Sequence, residues 1–191
     1  MKKSTTKEKL LDIAFEEVYI HGYAATSVDT ILKKANITKG SMYHHFKSKK
    51  ELVMAMIEER LFPKMDTFFL FEKVEGKSVL ESIRNTYAGM AKNKPLITYG
   101  CPLYRLMVEL SPVDDTFDVL LTSKVTDLRQ KLSNLLQVGI ECGEFNATLD
   151  TQAYADFILN ATWGVLSLSP NLSSSKYFIQ QSKLILNELN S

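Results

Sequence analysis

Apolar residues recur along this chain at intervals of three and four positions, broken by polar caps, glycines and prolines. Leu10, Ile13, Ala14 and Val18, with Leu11 and Phe15, form a broad apolar face at helical spacing. Thr5 and Glu8 precede it as a capping box, and Gly22 follows it where a left-handed cap needs no side chain. Thr26 or Ser27 caps a second helix running to about Lys34, Asn36 supplies a turn, and Thr38 caps a third helix that ends near Phe46. Ser48 and Glu51 open a long fourth helix, which Pro63 should kink or end because proline removes a donor and clashes with the preceding turn. Ser78 and Glu81 form a further box, opening a helix that stops before Pro95. Pro102 sits in the first turn of a helix through Leu110, and a long helix spans about 114–142 before Gly143. Two more cover about 151–168 and 175–189, with a linker at 171–175. The β-branched runs are short and lack two-residue alternation, so the pattern predicts an all-α protein of about nine helices.

Composition adds little until it is divided along the chain. The 191 residues are 45% hydrophobic and 24% charged, which is ordinary for a globular protein with one sizeable core or two small ones. Residues 1–60 hold 11 Lys and Arg against 8 Asp and Glu, whereas the remainder holds 12 against 14. The net charge of +1 therefore hides a basic N-terminal part. The change of sign suggests a small domain at 1–48 and a larger helical one at 49–191, joined by the fourth helix. Two cysteines, Cys101 and Cys142, are too few for a disulfide framework and suit a reducing cytoplasm. Neither a signal-peptide run nor a membrane-length apolar stretch is present, so a soluble cytoplasmic protein is expected, with no membrane partner.

The segment TSVDTILKKANITKGSMYHHFKSKK, from Thr26 to Lys50, carries the candidate chemistry. Between Thr30 and Lys50 there are six Lys and two His and no acidic residue. Two short helices joined by a tight turn, with basic residues on the second, fit the major groove of double-stranded DNA. Thr38, Lys39 and Ser41 can hydrogen-bond base edges, beside Gly40 and Met42 at the same helix start. Gly40 costs helix stability and lets backbone approach DNA closely. Tyr43, His44 and Lys49 can reach phosphates, as can Thr26 at a helix N-terminus. Val28, Ile31, Ile37 and Phe46 would form the small core behind them. A capped helix pair also occurs in proteins that bind no DNA, and a lysine run can be a solvated face.

The stretch KLLDIAFEEVYIHGYAATSVDTILKKANITKGSMYHHFKSKKELVMAMIEE resembles the N-terminal domain of TetR-family bacterial transcriptional regulators over about residues 7–59. The resemblance runs through Gly22, Tyr23, Thr26 and Ser27, and through TKGSMYHHF-x-SK-x-EL from Thr38 to Leu52. It implies an all-helical homodimer, each subunit with a DNA-reading N-terminal domain and a C-terminal domain that binds a small inducer. It also implies base contacts by Thr38, Lys39 and Ser41 and phosphate contacts by Thr26, Tyr43, His44 and Lys49. Expected partners are therefore a palindromic operator, a small apolar or aromatic inducer and a second copy of the chain. Repression is the commoner role in that family.

In the C-terminal part, Gly100-Cys101-Pro102-Leu103 followed by Glu109-Leu110-Ser111 resembles the GC-x-L…A-x-ELS segment of a TetR subgroup, some of whose members sense reactive electrophiles. Tyr104 and Arg105 depart from that subgroup's small or amide residues. Cys101 lies just before a helix N-terminus, where the dipole favours a thiolate, so it is a candidate sensor thiol; the bland alternative is a buried, inert cysteine. Glu141 and Glu144 oppose thiolate formation at Cys142. Phe68, Tyr87, Cys101, Tyr104, Met107, Phe117 and Trp163 are candidates for a ligand pocket, or for plain core. Phe157, Leu166, Phe178 and Ile185 on the last two helices are candidates for the dimer interface that the resemblance implies. No P-loop, nucleophile elbow, H-E-x-x-H or dinucleotide fingerprint appears, so no catalytic residue, metal ligand or cofactor is expected. Two alternatives to an inducer-released repressor are an electrophile- or redox-responsive regulator acting through Cys101, and a co-regulator of the same fold that binds no DNA.

Overall fold

The computed structural model describes residues 5–168, 174–187 and 189, and every regular element among them is helical. The N-terminal helices are α1 (Thr6–His21), α2 (Val28–Ala35) and α3 (Lys39–His45). Each begins at the expected cap. Thr5 accepts from the Glu8 N–H while the Glu8 carboxylate accepts from the Thr5 N–H, and Ser27 and Thr38 accept from the N–H of Thr30 and Ser41. α1 buries Leu10, Leu11, Ala14 and Val18 against Ile31 and Leu32 of α2, Met42 of α3 and Phe46. Val28 and Ile37 are half-buried at the edge of this cluster.

The body follows as α4 (Lys49–Met56), a π-helical turn (Ile57–Leu61) and α5 (Phe62–Phe68), then α6 (Val79–Lys92), α7 (Lys94–Tyr99), α8 (Pro102–Leu110) and α9 (Asp115–Glu141). It ends with α10 (Thr151–Ser167) and α11 (Ser175–Asn187). The sequence pattern does not anticipate the short α7, and of the expected linker, residues 171–173 lie outside the described ones. Pro63 does not end the helical run begun at Lys49. The chain widens into a π turn, in which the Phe62 N–H reaches the Ile57 carbonyl, and Pro63 lies in the first turn of α5 where its missing donor costs little.

α4 packs on α1, α8 on α9, α10 on α9, and α11 across α6 and α10. Leu166, Phe178 and Ile185, expected at a dimer interface, are instead buried in this chain's own core; only Phe157 of that set is exposed. An amphipathic helix on α9 or α6 needs an inner apolar face, and these three residues supply it.

Gly22 ends α1 with a positive φ of 88° but an extended ψ of 165°, not the left-handed cap read from the sequence. That region of backbone space is essentially restricted to glycine. A side chain would also meet Glu109 of α8, whose Oε2 lies 3.1 Å from the position of a Cβ. Gly22→Ala is expected to cost about 1–3 kcal/mol of stability in a urea melt; an unchanged midpoint would mean that this corner relaxes freely.

Candidate nucleic-acid interface and ligand cleft

The turn between α2 and α3 is set by Asn36, which takes the left-handed conformation (φ 54°, ψ 49°) and donates its N–H to the carbonyls of Leu32 and Lys33. Asparagine tolerates this conformation where most residues do not. α3 then buries Met42 completely and leaves Thr38, Lys39, Gly40, Tyr43 and His44 exposed, with Ser41 half-buried. Met42 therefore belongs to the core and not to the groove-facing start of the helix. Around Gly40 nothing lies within 4 Å of a Cβ position, so this part of the face is open.

Two of the four phosphate candidates are turned inward. Thr26 is buried and its hydroxyl donates to the Gly22 carbonyl at 2.7 Å. Lys49 is half-buried; its Nζ donates to the Tyr23 carbonyl at 2.5 Å and stands 4.1 Å from the centre of the Tyr23 ring. Burial holds the Lys49 ammonium below its ordinary pKa, and Glu109 opposes that shift. Tyr23 itself packs edge-on to Phe117 at the start of α9. The two residues thus brace the α1–α2 corner in this conformation, while Tyr43 and His44 face outward.

Behind that corner lies a cleft of about 790 Å³ between the C-terminal half of α1 and α8. Val18, Met56, Leu61, Tyr99 and Leu106 line it with Cys101 and Tyr104. Of the pocket candidates only these last two border it; Phe68, Tyr87, Met107, Phe117 and Trp163 do not. Tyr87 is fully enclosed, its hydroxyl 2.6 Å from that of Thr162. Phe117 is buried under Tyr23, and Trp163 is buried beneath Tyr104, with the two rings stacked at 6.0 Å. These aromatic side chains fill the core, as aromatic residues at helical spacing commonly do.

Two charged residues of α8 stand in the cleft, and sequence reading gave neither its role. Arg105 donates from Nη1 to the carbonyls of Tyr19 at 2.9 Å and Tyr99 at 3.1 Å, and Nη2 reaches toward the Ile20 carbonyl at 3.5 Å. Glu109 accepts from the N–H of Tyr23 at 2.9 Å and of Ala24 at 2.7 Å. The Tyr19 hydroxyl adds a bond of 2.7 Å to the Gly100 carbonyl, and burial pushes that phenol well above its usual pKa. One helix therefore grips both sides of the α1–α2 corner. Apart from the Tyr99 carbonyl, these partners are backbone groups some eighty positions away in the chain, so no local signal marks them.

Cys101 caps α8 but does not become a thiolate. Burial pushes its thiol up to about 11, against smaller downward pulls from the N–H groups of Tyr104 and Leu103 and from Trp163. Its sulfur lies 3.9 Å from that of Met65. The helix dipole favours the anion as expected, but desolvation wins.

A helix-turn-helix with an open basic face, mounted on a larger helical body that holds a cleft, is the architecture of a DNA-binding regulator. The family model "Bacterial regulatory proteins, tetR family" matches residues 10–56, and "Tetracyclin repressor-like, C-terminal domain" matches residues 76–180. The chain belongs to the TetR family of transcriptional regulators. It is 33% identical over 135 residues to an HTH-type transcriptional regulator in the lacX 3' region of Lactococcus lactis subsp. lactis, covering 69% of this chain and 68% of that one. It is 29% identical over 157 residues to the transcriptional regulator AcuR of Cereibacter sphaeroides, covering 80% and 71%. A solved TetR transcriptional regulator from Chloroflexus aurantiacus shares its fold, with a TM-score of 0.85 at 22% identity over 97% of this chain and 94% of that one. No helix among the described residues is long and apolar enough to cross a membrane.

Thiol labelling of the folded protein at neutral pH should modify Cys142, which is exposed, and spare Cys101 until denaturant is added. With its pKa near 11, Cys101 carries about a hundredfold less thiolate than an ordinary cysteine. Equal labelling of both sites, read by peptide mass mapping, would show that the Cys101 environment opens in solution.

Proposed function

We propose that this chain is a sequence-specific repressor that binds a palindromic operator as a homodimer and is released by a small molecule held in the α1–α8 cleft. The observation that carries the reading is the outward face of α3, where Thr38, Lys39, Gly40, Tyr43 and His44 stand exposed with no carboxylate among them. Thr38 and Lys39 are the base readers, Ser41 joins them from its half-buried position, and Tyr43 and His44 hold phosphates. Thr26 and Lys49 reach phosphate only if the corner rearranges on DNA; in the free protein they support it. Residues 1–48 act as the DNA-reading unit and 49–191 as the ligand-binding and dimerisation unit, in the cytoplasm.

A dimer is supported by an uncharged, exposed stripe on α10: Ala153, Phe157, Gly164 and Leu168, with Leu184 exposed on the neighbouring α11. Small residues beside larger apolar ones let two helices approach closely. The two copies of α3 would then address half-sites about 34–36 Å apart, one turn of DNA. A ligand in the cleft touches α1 and α8 together, so it can favour one placement of the corner over another. It shifts the equilibrium only by its difference in affinity for the two placements.

The test is a gel shift with the DNA flanking the gene. A discrete complex is expected, weakening steeply as salt rises, because phosphate contacts release counterions. Lys39→Ala should lose preference for the specific site by about 1–3 kcal/mol while keeping fold and dimer. Retained preference would remove Lys39 from the base-reading set, and failure of the parent protein to retard any flanking DNA would sink the repressor reading.

A further inference from the structure

We infer that the cleft takes an amphipathic organic acid, its carboxylate at Arg105 and its apolar body along Tyr99, Tyr104 and Val108. This rests on the cleft being the inducer site and adds the chemistry of the ligand. Arg105 is a half-buried cation that forms no ion pair with a carboxylate among the described residues. Its partners are the neutral carbonyls of Tyr19, Tyr99 and, at the limit of reach, Ile20. A guanidinium has five N–H donors in a fork that matches a carboxylate, and charge-assisted bonds of this kind are about twice as strong as those to neutral acceptors. Several other shielded basic residues have acids beside them, Lys50 with Asp114 at 2.8 Å and Lys124 with Asp66 and Asp127 at 2.7 and 3.0 Å, whereas Lys49, like Arg105, rests on a backbone carbonyl.

Glu109, the one acidic residue lining the cleft among the described residues, forms no ion pair with Arg105. Both oxygens of Glu109 are engaged by the N–H groups of Tyr23 and Ala24. Its charge also disfavours a second anionic group at that end, which selects for a monocarboxylate. The rest of the wall is mainly apolar or aromatic, and a volume near 790 Å³ suits a small amphiphile. A carboxylate arriving at the guanidinium competes with the carbonyls at the end of α1. Binding and the placement of the α1–α2 corner are therefore linked through one side chain.

Trp163 is the only tryptophan and is stacked on Tyr104, which lines the cleft, so its fluorescence reports occupancy. The full-length protein is titrated with octanoate and with octanol, matched in chain length, by fluorescence and calorimetry. Octanoate should bind about tenfold or more tightly than octanol, with an affinity that falls as salt rises. In Arg105→Met the two should come within about twofold of each other, and Arg105→Lys should keep part of the preference. The comparison in the unsubstituted protein stands even if a variant folds poorly. Equal binding of acid and alcohol would leave an apolar inducer cleft and overturn the anionic head group, as would an acid preference that survives Arg105→Met. Failure of both compounds to bind would overturn the acid and the inducer cleft together, whatever the gel shift shows.

Discussion

A helix end leaves backbone groups that it cannot satisfy by itself, and the corner after α1 leaves two kinds at once. The last carbonyls of α1 lack donors, and the N–H groups of the loop beyond lack acceptors. α8 meets both. Arg105 offers its guanidinium to the Tyr19 carbonyl, where the negative end of the α1 dipole also attracts a cation, and Glu109, one turn further along α8, takes the N–H groups of Tyr23 and Ala24. Gly22 lies between these two grips, where its positive φ and the 3.1 Å approach of Glu109 would strain any side chain. The orientation of α2 and α3 relative to the body depends on this corner, because the chain leaves it directly into the DNA-reading helices.

A second polar tie, between α4 and the start of α9, has comparable exposure. Lys50 pairs with Asp114, the N-cap of α9, and holds that carboxylate below its usual pKa, yet both side chains are over a quarter exposed. Solvent-accessible pairs of this sort contribute about 0–1 kcal/mol. Hydrogen bonds to charged groups that are shielded from water contribute about 1.5–3 kcal/mol each. The corner bonds are themselves only partly shielded, so the corner differs from the Lys50–Asp114 pair in the number of its bonds and not in their burial. The π turn between α4 and α5 adds a place where the connecting helix departs from regular geometry, next to Met56 and Leu61 of the cleft wall.

What could be read beforehand follows the range of the interaction. The caps at Thr5, Ser27, Thr38, Ser48 and Ser78 are contacts within three residues, and each side chain accepts from the expected N–H, although the Glu51 carboxylate takes the N–H of Lys47 and so does not complete a box with Ser48. The all-helical fold and the exposure of Lys39, Tyr43 and His44 follow from the same local periodicity. The inward turn of Thr26 and Lys49 does not, because it is set by the Gly22 and Tyr23 carbonyls across a tertiary corner. Nor could the pattern divide the apolar residues of α10 and α11 between an inner face and an outer one. Leu166, Phe178 and Ile185 are as apolar as any interface residue, and only their packing on neighbouring helices assigns them to the core.

The same competition between local and tertiary terms decides what chemistry the cleft can perform. At Cys101 the start of α8 supplies N–H groups that stabilise a thiolate, while enclosure by Met65 and Trp163 withdraws the water an anion needs. Enclosure dominates, and the sulfur stays protonated at neutral pH. Arg105, one turn along the same helix, is only half-buried and carries a guanidinium. On the proposed reading, a ligand between α1 and α8 would meet a guanidinium and not a thiolate. Recognition by charge pairing would be reversible and graded with concentration, and through Arg105 it would act on the carbonyls that set the corner.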